Sequence, residues 1–241
     1  IKEVMSHTKI KVYTGAKIEK TTGAPGLFDV VVSQNGKSET VRVGAIVEAA
    51  GWQPYDATKL GSLGFGKYAN VVTGIMVEEM AAKGRFTRPS DGKEAKSVAF
   101  IQCAGSRDKN NLPYCSSYCC LASLKQAKYI REKDSDAKVY ILYKDIRTVG
   151  QYEIFYKKVQ EDPGIFLTKG EVAGISEDAG KNLVIDVDNT LLGEKIQVKA
   201  EMVVLATGMV PAAGIEAREP IVSPEEAEKT CEEKKEEEKD L

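Results

Sequence analysis

The sequence predicts an α/β fold in which a parallel sheet built from βαβ units is combined with antiparallel β-meanders. Three observations predict it. Short apolar runs alternate with helix-period segments between residues 97 and 169, the pattern of parallel strands joined by crossover helices. Period-two runs separated by Gly and Asn-Gly turns flank that region on both sides. The chain also repeats one ending: each meander leads into an apolar run that closes as Ala49-Ala50-Gly51…Pro54 or Ala206-Thr207-Gly208…Pro211.

Taken in order, residues 8–14, 28–33 and 40–44 alternate as strands of the first meander, and Ala45 to Gly51 reads as its closing strand. From about 60 to 95 the pattern weakens, with many Gly residues and a helix-like stretch near Val77–Lys83. The second unit runs strand 97–102, helix 117–132, strand 138–143, helix 151–161 and strand 165–169. A second meander over 171–176, 182–188 and 195–200 then feeds the apolar strand that starts at Met202. The organisation expected is a partial first domain over 1–60, a crossing segment over 61–95, a second domain over 96–213 and a tail over 214–241. In the tail, Ser223-Pro224-Glu225-Glu226 is a good helix start, with a capping Ser and Pro at the first helical position. Residues 216–240 hold eleven acidic and five basic side chains, so such a helix has no core face and reads as a solvated tail or an acidic docking element.

Composition narrows the function classes. A length of 241 residues with 42% apolar content suits one or two domains with a real core. A net charge of −2 gives no reason to expect nucleic acid. No stretch is long enough to insert in a membrane and no secretory signal opens the chain, which begins Ile-Lys-Glu-Val-Met and reads as a piece of something longer. Of five cysteines, four fall within eighteen positions. The odd number and the adjacent pair Cys119-Cys120 argue against a disulfide scaffold and for metal or redox work in a reducing, cytoplasmic compartment.

The spacing Cys103-x11-Cys115-x3-Cys119-Cys120 lies at the strand-to-helix turn, where a nucleotide-binding unit normally carries a Gly-rich phosphate cradle. On a regular helix Cys115 and Cys119 share a face and Cys120 lies one residue's rotation away. Either the helix start is irregular before about residue 117, or one thiol is not a ligand. A cubane tolerates that splay better than a single zinc ion, which needs four convergent donors. Iron–sulfur, zinc and reduced metal-free thiols all stay open at this point. Cys231, in the charged tail, reads as an exposed thiol outside the cluster.

The paired endings resemble those of flavoproteins with two dinucleotide-binding domains. More narrowly, Phe100-Ile-Gln-Cys-Ala-Gly-Ser-Arg-Asp108, Tyr114-Cys-Ser-Ser-Tyr-Cys-Cys120 and Tyr143-Lys-Asp-Ile-Arg147 resemble the flavoprotein component (the A component) of heterodisulfide reductase. They are also similar to the heterodisulfide-reductase-like flavoproteins of the quinone-interacting membrane-bound oxidoreductase complex of sulfate-reducing microbes. The likeness covers about residues 1–213. It implies a Rossmann-like second domain preceded by the remaining part of an FAD-type domain. It implies FAD and a [4Fe–4S] cluster as cofactors, an oxidoreductase passing electrons between them, and partner subunits of a redox complex, some membrane-bound. The sequence departs from a full member: it lacks the amino-terminal Gly-rich FAD fingerprint and the Gly-Asp segment expected after residue 211. Two other classes remain: a pyridine-nucleotide–disulfide oxidoreductase with Cys115 and Cys119 as its dithiol, and a non-catalytic docking domain.

The resemblance gives further residues two readings each. Gly105, Ser106 and Arg107 sit where amides and a helix N-terminus favour an anion, so they contact a phosphate or flavin, or else form a tight turn with a surface arginine. Asp145 occupies the place of a ribose-binding acid, or else pairs with Arg147. Without the second and third glycines of the fingerprint, NAD(P) binding is not expected. Gly51 and Pro54 close the first half, near FAD in the superfamily, or simply end a strand. Trp52 packs at an interface or beside the flavin, and His7, the single histidine, reads as a surface residue.

Overall fold

A computed structural model describes residues 1–212, and the charged tail over 214–241 with Cys231 lies outside the described residues. The contacts divide the chain into a unit at Ile1–Ala50 and a second that starts at Gly51.

The first unit opens with a short helix α1 (Lys2–Ser6), followed by three antiparallel strands, β1 (Ala16–Ala24), β2 (Leu27–Gln34) and β3 (Lys37–Val43). Its turns follow from local chemistry. Pro25 presets the first turn position and Gly26, at φ 91°, takes the left-handed second one. Asn35 and Gly36, at φ 51° and 76°, supply the two positive angles of a tight hairpin. Residues 8–14, expected as the first strand, are irregular. The Pro25-Gly26 turn fixes pairing from Ala24 opposite Leu27 back to Ala16 opposite Gln34, which occupies all of β2 and leaves 8–14 no ladder partner. The closing strand expected at Ala45–Gly51 is likewise exposed and irregular, because no neighbouring strand offers it hydrogen bonds. Only β4 (Trp52–Pro54) is extended there, and it belongs to the second unit.

The second unit is built on seven strands. In chain order they are β5 (Val71–Thr73), β6 (Ser97–Ala104), β7 (Lys138–Tyr143), β8 (Ile165–Glu177), β9 (Leu183–Asn189), β10 (Glu194–Ala200) and β11 (Met202–Thr207), and in space they run β10-β9-β8-β7-β6-β11-β5. The five from β8 to β5 in that spatial order are parallel. Helices α2 (Gly74–Ala82), α3 (Cys119–Lys133) and α4 (Tyr152–Gln160) join successive strands. This is the Rossmann-like α/β sheet that the alternation predicts. Residues 61–95, expected as a crossing, supply β5 and α2 to this same sheet; the three residues Val71–Thr73 are too few for periodicity to reveal.

Strands 165–169 and 171–176, expected separately, are one strand. The first part of β8 pairs parallel with β7; the rest pairs antiparallel with β9 across an irregularity at Val172/Gly174. Alternation along β6 places Val98 and Phe100 on one face, packed with Leu124 and Ala127 of α3, Val77 of α2 and Val159 of α4. Ala99 and Ile101 point to the other face, where Leu183, Ile185 and Val198 of the meander and Leu60 cover them. The sheet is therefore buried on both sides, as parallel strands require. A last short strand, β12 (Met209–Pro211), turns away and pairs antiparallel with β4, so the segments ending in Pro54 and Pro211 lie side by side.

Candidate functional site

The site forms where β6 leaves the sheet. Along the β6–β11 ladder, Ile101 faces Leu205 but Ala104 faces Thr207, so β6 carries one extra residue at Gln102-Cys103. Cys103 takes the left-handed conformation, φ 55°, which non-glycine residues seldom adopt. A bulge with such a residue re-aims its side chain, here at the end of the sheet facing the start of α3. Gly105, at φ 74°, follows. A Cβ there would lie 2.9 Å from the Tyr55 ring and 3.0 Å from Leu60 Cδ2, so both angle and space require glycine.

The loop then closes on itself. Ser106 N–H donates to the Cys103 carbonyl at 3.0 Å, Arg107 N–H to the Tyr114 carbonyl at 3.1 Å, and Asp108 N–H to the Leu112 carbonyl at 3.0 Å. The amides that could have cradled a phosphate are thus spent within the loop. The ending of β11 covers it from above. Met209 N–H donates to Ser116 Oγ at 2.8 Å and Tyr114 Oη to the Met209 carbonyl at 3.0 Å. Gly208 fits so closely that a Cβ would collide with Ser106 Oγ and stand 2.8 Å from Leu112 Cδ1.

Cys115 lies in this loop and not on the helix. Ser117 turns left-handed at φ 53° and α3 starts at Cys119, without a side-chain cap from Tyr118. Cys119 and Cys120 are therefore the first two helical residues, and their splay is that of adjacent positions at a helix N-terminus, where backbone N–H groups favour negative charge. The Cys119 thiol donates to the Thr207 carbonyl at 3.4 Å and the Cys120 thiol to the Asp145 carbonyl at 3.8 Å. Burial pushes the Cys119 thiol up to about 12, and any charge on Cys120, Cys103 or Cys115 pushes the same way. Burial also raises Cys103, opposed by the guanidinium of Arg107, and raises Cys120, opposed by the backbone at Arg147. None of the four thiols is paired as a disulfide.

Asp145, just beyond β7, binds Arg107 (Nη2 to Oδ2, 2.9 Å) and Lys169 (3.6 Å). Its partner is thus Arg107 and not the Arg147 that its sequence neighbourhood suggested. The Arg107 guanidinium, through its hydrogen bond and charge, holds the Asp145 carboxyl below the usual range. Buried atoms around Cys103 are left without hydrogen-bond partners: both amide atoms of Gln102, Ser106 Oγ and Arg107 Nη1. The Gly51 carbonyl accepts from Ala212 N–H at 3.1 Å. Pro54, Trp52, Tyr118, Cys119 and Thr207 line a narrow cleft of about 20 Å³. In it the Trp52 and Tyr118 rings lie 5.3 Å apart. Pro54 and Trp52 thereby share a cleft with Cys119. Thr207, Ser116 and Tyr114 join the site through contacts that no local pattern announced; the repeated Ala-Thr-Gly ending was the one signal that pointed to them.

Four thiols from three segments are the number and kind of donor that [4Fe–4S] clusters take. Among the described residues no group of three or more His, Cys, Asp or Glu side chains is placed to hold a metal ion. Buried thiols become thiolates when a metal centre supplies the compensating charge.

Fold and site together define a dinucleotide-type α/β sheet whose phosphate turn has been replaced by a thiol-lined one. No protein-family model matches the chain. Among curated proteins it is similar to the A component of the H(2)/formate:CoB-CoM heterodisulfide,ferredoxin reductase of Methanococcus maripaludis, 42% identical over 184 residues, or 73% of this chain and 28% of that one. It is 41% identical over 201 residues to the iron-sulfur A component of the CoB–CoM heterodisulfide reductase of Methanocaldococcus jannaschii, covering 80% of this chain and 30% of the relative. The chain therefore has homologues among the A components of heterodisulfide reductases over most of its length and spans less than a third of theirs. Among solved structures, a looser likeness is to the thioredoxin reductase of T. acidophilum, with TM-score 0.43 and 15% identity over 82% of this chain and 54% of that one.

Proposed function

We propose that this chain is a segment of an electron-transfer flavoprotein oxidoreductase, akin to the A component of heterodisulfide reductase, in which Cys103, Cys115, Cys119 and Cys120 hold a [4Fe–4S] cluster. What supports this reading is that four cysteines are carried by the single connection from the end of β6 to the start of α3, in a chain whose relative is named an iron-sulfur component. When bound, the cluster supplies one-electron storage and transfer. The protein's own residues do the rest. The bulge at Cys103 and the left-handed Ser117 aim the thiols, β11 and the Tyr114 loop exclude water, and the α3 N-terminus and Arg107 offset negative charge.

FAD would be held by the larger protein, whose relatives are reductases; residues 1–50 and the Gly51–Pro54 segment are its expected flank. Electron partners would be other members of the complex, and the quinone-interacting complex with membrane-bound partners is the narrower form of the same reading. Among the described residues no helix is long and apolar enough to cross a membrane. The dithiol reading is weaker, because a thiol held near 12 is a poor nucleophile at neutral pH.

The test is anaerobic reconstitution with iron and sulfide, followed by paramagnetic resonance of the reduced chain and of four single Cys→Ser variants. A cluster signal in the wild type that each substitution abolishes or alters supports the assignment. A signal indifferent to all four would sink it.

A further inference from the structure

We infer that Arg107 is the positioning residue that sets how readily the four-cysteine centre accepts an electron; this rests on the cluster reading above. Arg107 is fixed more firmly than a surface arginine. Its backbone is held left-handed at φ 56°, with its N–H on the Tyr114 carbonyl, one residue before Cys115. Its guanidinium is clamped by Asp145 at 2.9 Å, and the Asp145 carbonyl meets the Cys120 thiol at 3.8 Å. The side chain is only 27% exposed. Nη1 is buried without an acceptor, although buried donors are nearly always satisfied. The group beside the guanidinium is Cys103. One arginine thus joins the segments of three of the four thiols and keeps a buried nitrogen without an acceptor.

Reduction adds one electron to the centre, with no bond made or broken. A fixed cation and an N–H···S hydrogen bond both favour the more negative state. Arg107 therefore raises the reduction potential. Asp145, itself bridged to Lys169 at 3.6 Å, holds the guanidinium in place, and Lys144, bridged to Glu171 at 3.3 Å, is a second cation near Cys103.

The test uses the full chain, reconstituted anaerobically, with dithionite as electron donor in a redox titration, plus an iron count. Arg107→Gln is expected to keep its iron while the reduced-to-oxidised ratio at a fixed poise falls about tenfold, 59 mV for a one-electron couple. Arg107→Lys, which keeps the charge, is expected to restore most of that ratio. A ratio in Arg107→Gln within twofold of the wild type, in a chain that holds its cluster, overturns the role of Arg107 and leaves the cluster reading standing. If Arg107→Gln holds no iron, Arg107→Lys decides: a cluster near the wild-type ratio supports the role, and a shifted or absent cluster overturns it in favour of a purely structural one. A wild-type chain that takes up no iron overturns the cluster reading itself.

Discussion

Arg107 Nη2 lies 2.9 Å from Asp145 Oδ2, and that bridge ties the turn after β6 to the turn after β7. It stands where a nucleotide-binding sheet would place a phosphate cradle and a ribose acid. Here the acid holds an arginine, and the arginine faces a thiol.

Removing the carboxylate should loosen the site without unfolding the sheet, because Asp145 lies outside both core clusters. Outer partners of metal ligands typically contribute about 10–100-fold in metal affinity. For Asp145→Asn, the chelator concentration that strips half the iron should fall at least about tenfold. The thermal midpoint of the iron-free chain should move little.

Gly208→Ala tests how the β11 ending seals the loop. The new methyl would press on Ser106 Oγ, on Leu112 Cδ1 at 2.8 Å and on Ser116 Oγ at 2.9 Å. Overpacking of this kind costs roughly 1–3 kcal/mol, read from the urea midpoint. The same variant should lose the protection of Met209 N–H against hydrogen exchange, since that group bonds Ser116.

Phe100 is fully buried at the centre of the parallel sheet, flanked by Ile141 and Val204 on the neighbouring strands. Truncation to Ala should cost about 3–5 kcal/mol. A loss below about 1 kcal/mol in urea denaturation would contradict the packing described, since the area removed alone accounts for more.

Much of this architecture was legible because it is periodic. Strands 97–102, 138–143, 182–188 and 195–200 and the helices at 117–132 and 151–161 correspond to β6, β7, β9, β10, α3 and α4 within a few residues. What escaped was decided by pairing. Ala45–Gly51 has the composition of a strand but no ladder partner, whereas Val71–Thr73 is only three residues long and gains strand geometry from β11. At the site, the cysteine spacing and the irregular helix start could be read from sequence and helical rotation. The Arg107–Asp145 bridge could not. The residues are 38 apart in sequence, and only the parallel pairing of β6 with β7 brings their following turns together.

Asp162 provides a pH signature. Burial alone would raise its carboxyl, but Gly164 N–H, Arg131 at 2.8 Å and Lys128 at 3.4 Å together bring it below the ordinary range. A carboxyl lowered on folding contributes stability that is present above its unfolded value, about 3.9, and is lost as pH falls through the folded value. The stability difference between wild type and Asp162→Asn should therefore be constant near neutrality and shrink in acid. Denaturant melts at several pH values check this, and a difference that grows in acid would contradict it.

The most direct measurement is the iron and acid-labile sulfide content of the anaerobically prepared chain. Four thiols around one cubane predict about four irons and four sulfides per chain, with a brown absorbance that bleaches on reduction. A colourless, iron-free protein after reconstitution, folded by circular dichroism, would contradict the cluster.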